Sequence, residues 1–232
     1  TFLGKQAGQA VTTQSNNTFI GFNSGINQSG TANVAVGNHT MKNAVGDANY
    51  STAVGSGALY SVTTGDANTA IGTDALGAVN TGEKNTALGA YAGDALTIGS
   101  NNVAIGQNAL GAEDVGNGTV AIGWGALSNQ NSDSNNEIAL NVAVGLNAGA
   151  SISTAQNITF IGSGSGELAS VSGNTAVGAL SMKYLGNGGY NTAIGDSALR
   201  GAISGASGHT GAYNVAVGRQ TLTGITDGEY NV

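Results

Sequence analysis

The feature that most constrains this chain is a five-residue pattern, seen in Asn68-Thr69-Ala70-Ile71-Gly72, that returns at an almost fixed interval. Its closing glycine recurs at Gly4, Gly21, Gly37, Gly55, Gly72, Gly89, Gly106, Gly123, Gly145, Gly162, Gly178, Gly195 and Gly218, with spacings of 16 to 18 residues and two longer steps of 22 and 23. Thirteen copies of so short a unit predict a solenoid in which each coil stacks on the next. Residues 1–232 then form one continuous repeat array, not a set of globular domains.

The variation within the unit is informative. The residue before the anchor glycine is aliphatic in every copy, the residue two before is Ala or Phe, and the residue three before is Thr or Val. This β-branched run reads as a strand, with the aliphatic and Thr/Val positions on one face and the Ala/Phe position on the other. Neither face carries charge, and a strand without a polar face is expected to be covered on both sides. One cover is the coil itself, and the other is expected from self-association of identical chains.

Beyond the anchor, the next two positions vary freely and read as a corner facing solvent. Four residues after it stands either Gly or Leu/Met, and the three Phe copies (Phe2, Phe19, Phe160) all fall in coils with Gly there (Gly8, Gly25, Gly166). The two sites are therefore expected to exchange volume within one packed space. Asn four before the anchor, in nine of the twelve copies where that position exists, is expected to form an amide ladder. Gly seven before the next anchor (Gly30, Gly65, Gly82, Gly99, Gly116, Gly188, Gly211) is expected to serve turns with positive φ. The two long steps place extra loops at about 129–139 and 201–213.

Composition narrows the function. With no Cys and two isolated histidines, His39 and His209, no metal-ligand set, cofactor motif or disulfide is expected. Six Lys and Arg against thirteen Asp and Glu disfavour nucleic acid as a partner, and no apolar run is long enough for direct membrane insertion. The adjacent pair Glu113-Asp114 reads as a solvated turn, and Gly162-Ser163-Gly164-Ser165-Gly166 is explained by repeat positions better than by a phosphate loop. No enzyme is expected. Surface contacts are expected instead from Phe22, Tyr91 and Trp124 at the variable corner, and from His209 in the second loop; Tyr50, Tyr190, Tyr213 and Tyr230, which precede the motif Asn or Ser51, read as rings capping an edge of the core.

Repeats such as Asn85-Thr86-Ala87-Leu88-Gly89-Ala90-Tyr91-Ala92-Gly93 and Asn191-Thr192-Ala193-Ile194-Gly195-Asp196-Ser197-Ala198-Leu199 resemble the head repeats of trimeric autotransporter adhesins and, more closely, repeats of bacteriophage tail fibres. The period is longer than that of the adhesin heads. The resemblance implies a homotrimeric left-handed β-roll, an extracellular or virion location, and attachment to a host cell-surface glycan or protein. On that reading this chain is a slice of a longer fibre shaft. The alternative is a carbohydrate- or ice-binding solenoid; ice binding needs an exposed Thr array, and Val at five of the thirteen Thr/Val positions argues for burial instead.

Overall fold

The computed structural model describes residues 1–232 apart from 136, 202–209 and 226. It is an all-β parallel solenoid with turns of about 17 residues. A two-residue strand, Phe2–Leu3, is followed by twelve three-residue strands from Thr18–Ile20 to Val215–Val217. All lie in one 13-stranded sheet in strict sequence order, every neighbouring pair parallel. Register runs motif to motif: Thr69 faces Thr86, Ala70 faces Ala87 and Ile71 faces Leu88. It is kept across the longer steps, Val120 facing Val142 and Thr192 facing Val215. At about 4.8 Å per strand the stack is a rod about 60 Å long. Coils are numbered below by their anchor glycines, coil 1 at Gly4 and coil 13 at Gly218.

Each coil encloses its own thin core. The Ala/Phe rank points inward and is fully buried from Phe19 to Ala216. It meets residues three, four and seven after the anchor, such as Ala75, Leu76 and Val79 in coil 5, all at zero exposure. The Ala/Phe face is thus dry within a single chain and needs no partner. The opposite face is the one expected to be covered by another chain: in the single chain no Thr/Val or aliphatic position of any strand is buried, and Leu88 is 46% exposed.

The exchange of volume between Phe and Gly occurs within a coil. A Cβ built on Gly25 would lie 2.6 Å from the Phe19 ring, and one on Gly8 would lie 2.9 Å from the Phe2 ring. Gly93 and Gly149, whose strands carry Ala87 and Ala143, are covered in another way: Leu76 and Leu127 of the preceding coils fill the space together with Leu96 and Ile152, seven after the anchor. The position four after the anchor is left-handed throughout, for Gly93 (φ 57) and equally for Leu76 (φ 50) and Met182 (φ 50). A non-glycine residue there costs about 1–2 kcal/mol. Burying a Leu or Met side chain returns about 1.5–3 kcal/mol, so Leu and Gly are both viable at this one site.

The buried Asn residues form the expected ladder. Asn85 N donates to Asn68 Oδ1 at 2.9 Å, Asn102 N to Asn85 Oδ1 at 3.0 Å, and Thr119 N to Asn102 Oδ1 at 2.9 Å. Each amide also donates across the coil, Asn68 Nδ2 to Gly82 O and Asn85 Nδ2 to Gly99 O, both at 2.8 Å. The glycines that accept these bonds do not have positive φ, contrary to the turn expectation. They are required by close approach of successive backbones: a Cβ on Gly65 or Gly82 would lie 2.3 Å from the carbonyl oxygen of the glycine one coil on. The left-handed residue of this return is the one before the motif Asn, including Ala67, Lys84 and Asn101. Tyr190, Tyr213 and Tyr230 occupy that place in the last coils and stack face to face at 5.4 and 5.2 Å on the exposed surface.

Glu113 corrects a second expectation. It is fully buried at the core position seven after its anchor, the rank of Val79 and Leu96. Its Oε1 accepts from Gly116 N at 2.7 Å and its Oε2 from Gln130 Nε2 at 2.8 Å and Ser132 Oγ at 3.0 Å. Gln130 Oε1 in turn accepts from Asn141 Nδ2 at 2.8 Å. The first residues of the inserted segment therefore dive into the core to satisfy a carboxylate. The second long step falls largely on 202–209, outside the described residues.

Candidate functional site

Of the four residues expected to make surface contacts, His209 lies outside the described residues. Phe22, Tyr91 and Trp124 stand on the outer corner with 40%, 44% and 52% of their surface exposed. They belong to coils 2, 6 and 8, so stacking at about 4.8 Å keeps Tyr91 about 20 Å from Phe22 and about 10 Å from Trp124 along the axis. They do not form one site.

Each has its own surroundings. Phe22 tilts against His39 with ring centroids 5.5 Å apart, under the Lys5 ammonium at 5.9 Å. His39 meets Tyr60 edge-on at 6.5 Å, and Lys42 Nζ lies 5.5 Å from the Tyr60 ring. This run of rings and cations follows from one rule of the fold: residues at the same offset from successive anchors lie one above another, as Lys42 and Tyr60 do.

Tyr91 is different because it borders an open groove shared with Tyr60, Ser61, Asp74, Gly77, Ala78 and Asp94. Tyr60, Gly77 and Asp94 stand five after the anchors of coils 4, 5 and 6, and Ser61 and Ala78 stand six after. The groove exists because coil 5 carries Gly77-Ala78 where its neighbours carry Tyr60-Ser61 and Asp94. Small residues make the floor, and Tyr60 on one side and Asp94 with Tyr91 on the other make walls two coil spacings apart, about 10 Å. Lys42 and His39, which hold Tyr60, both come from coil 3, the side away from the groove.

Asp94 Oδ1 is shielded from water. Burial raises the Asp94 pKa above the ordinary aspartate value, a backbone hydrogen bond opposes this, and the nearby Asp74 carboxylate adds to the rise. The site therefore offers two aromatic rings, a hydroxyl and two carboxylates around a small floor. Sequence reasoning found Tyr91 and missed Tyr60, Asp74 and Asp94. The Gly77-Ala78 floor gave no signal of its own, since Gly111-Ala112 repeats the same pair at the same offsets in coil 7. Among the described residues no group of three or more His, Asp or Glu is placed to hold a metal ion.

Fold and site together define a parallel β-solenoid with a regular outward sheet face and a separate corner groove. Neither a family model nor a curated protein matches the chain.

Proposed function

We propose that this chain is a length of homotrimeric fibre, a shaft or adhesin segment of the phage tail-fibre kind, working outside the cell or on a virion and catalysing no reaction. One observation carries the reading: the outward face of the sheet presents a Thr/Val rank and an aliphatic rank along thirteen strands, without one charged residue and with none of these residues buried. A continuous uncharged strip of this length marks an association surface. Identical rods with the same period match their own strips coil for coil, which favours a closed homo-oligomer.

Sedimentation equilibrium tests this directly. A trimer is expected, and Ile105→Lys on the aliphatic rank should release monomers that keep the β signature in circular dichroism. A wild-type monomer would overturn the assembly.

A second reading is favoured by eight Thr on the same outward rank, since a regular hydroxyl array in water suits ice binding. It requires a monomer that inhibits ice recrystallisation, whereas a trimer hides the array. The non-catalytic part of the proposal rests on the groove lying open at the surface instead of forming an enclosed cleft around a carboxylate pair. Release of reducing ends from a host polysaccharide would overturn it.

A further inference from the structure

We infer that the corner groove between Tyr60 and Tyr91 is a sugar-binding subsite that takes one uncharged or amino-bearing pyranose. The inference deepens the attachment role proposed above and rests on it, while its own test is independent of assembly state.

The groove residues stand two, five and six after their anchors, on a different side of the coil from the strand, so covering the sheet face leaves the groove open to solvent. Its lining suits a pyranose for three reasons. Tyr60 and Tyr91 offer ring surface for the C–H face of a sugar, as aromatic side chains with one wet side do. A gap of about 10 Å between walls holds a single ring between the flanking side chains. The polar groups are mainly acceptors, Asp74, Asp94 and the Ser61 hydroxyl, as ring hydroxyls require.

Asp74 and Asp94 supply the most specific element, because their side chains line the groove and a carboxylate accepts from a hydroxyl or ammonium placed beside it. Two carboxylates in one groove repel an acidic sugar, which sets the class: neutral hexoses, N-acetylhexosamines or amino sugars are accepted, and uronic and sialic acids are rejected. Among the described residues the tyrosine stack of Tyr190, Tyr213 and Tyr230 is a poorer site, because its rings cover each other's faces.

The fold itself provides variants that keep the coil intact. Tyr91 is left-handed (φ 57), and Asn23 and Asn108 take the same offset with the same sign of φ, so Tyr91→Asn preserves the backbone. Tyr184 occupies in coil 11 the offset of Ala78 in coil 5, so Ala78→Tyr fills the groove with a ring the scaffold already carries elsewhere.

The test is ligand-observed NMR by saturation transfer, with methyl glycosides of neutral hexoses, N-acetylhexosamines, amino sugars and uronic acids as probes. Transfer to at least one uncharged or amino glycoside and none to the uronates is expected. Tyr91→Asn should weaken binding about tenfold, the loss of one ring contact, and Ala78→Tyr should abolish it at unchanged melting temperature. No transfer to any uncharged or amino glycoside, equal transfer to the uronates, or binding that survives both variants would overturn the inference. Failure of trimerisation would leave it standing.

Discussion

The ring of Phe160 fills the space above Gly166: a Cβ on Gly166 would sit 2.2 Å from Phe160 Cε2, closer than any packed pair allows. Both residues belong to coil 10, and the register places Phe160 between Ala143 and Ala176 of the neighbouring strands. One bulky side chain per coil fills this layer, drawn from the strand in coil 10 and from the turn in coil 5, where Ala70 faces Leu76. Gly166→Leu should therefore overpack the coil and destabilise it by about 1–3 kcal/mol, and Phe160→Ala should open a cavity at about 3–5 kcal/mol. The double variant rebuilds the Ala70 and Leu76 pattern and should be more stable than the sum of the two losses predicts. Chemical denaturation of the four proteins checks this, with strict additivity as the contrary result.

Leu76 makes the order of truncations unusual. Removing its side chain leaves a cavity worth about 2–5 kcal/mol, yet its left-handed backbone (φ 50) is relaxed by glycine and not by alanine. Glycine returns part of that relief by loosening the unfolded chain, at about 0.5–1 kcal/mol. Leu76→Gly should thus be no more destabilising than Leu76→Ala, the reverse of the usual ranking. Midpoints of urea unfolding for the pair decide it.

Glu113 should be intolerant of its amide counterpart. Gly116 N, Gln130 Nε2 and Ser132 Oγ all point donors at its oxygens, so Glu113→Gln turns a donor toward donors inside a dry core. A loss of about 2–4 kcal/mol is expected, comparable to leaving one or two buried groups unpaired. A melting temperature within 1 °C of wild type, well short of the shift of about 2–4 °C per kcal/mol usual for a chain of this size, would show that the cluster relaxes.

Asp94 gives a dependence on pH whose sign is definite. Its folded pKa is raised above the unfolded 3.8, so the folded state holds the proton more tightly and the ionised group is a liability that grows as pH rises from that value through the folded pKa. Asp94→Asn should therefore stabilise the protein at pH 7 and make little difference at pH 3. The side chain is partly exposed, so solvent screening limits the gain to a few tenths of a kcal/mol, about 1 °C in melting temperature. Calorimetry at the two pH values tests it.

Much of this architecture was legible because the coils repeat offsets in sequence as they repeat contacts in space. The anchor glycines marked the strands, the Asn at Asn68 and Asn85 marked the ladder, and the pairing of Phe160 with Gly166 marked a shared volume. What was misread involves contacts between coils. Gly65 and Gly82 looked like turn glycines, yet they are small because the backbone of the next coil touches them, a demand that one coil read alone does not reveal. Glu113 looked solvated because its partners Gln130 and Ser132 lie 17 and 19 residues later, although its offset was that of Val79 and Leu96. The groove was half seen, since its walls come from two offsets and its defining element is the missing bulk of Gly77 and Ala78.

The unbroken parallel register from Phe2 to Val217 also bears on how such a chain changes over generations. Every strand presents the same hydrogen-bonding edge to its neighbour, so a duplicated unit inherits a ready docking place above and offers one below. Length is then inherited as a copy number: 17 residues added at an end of the array lengthen the rod by about 4.8 Å and leave the existing contacts untouched. A population of such genes can vary its reach by unequal recombination.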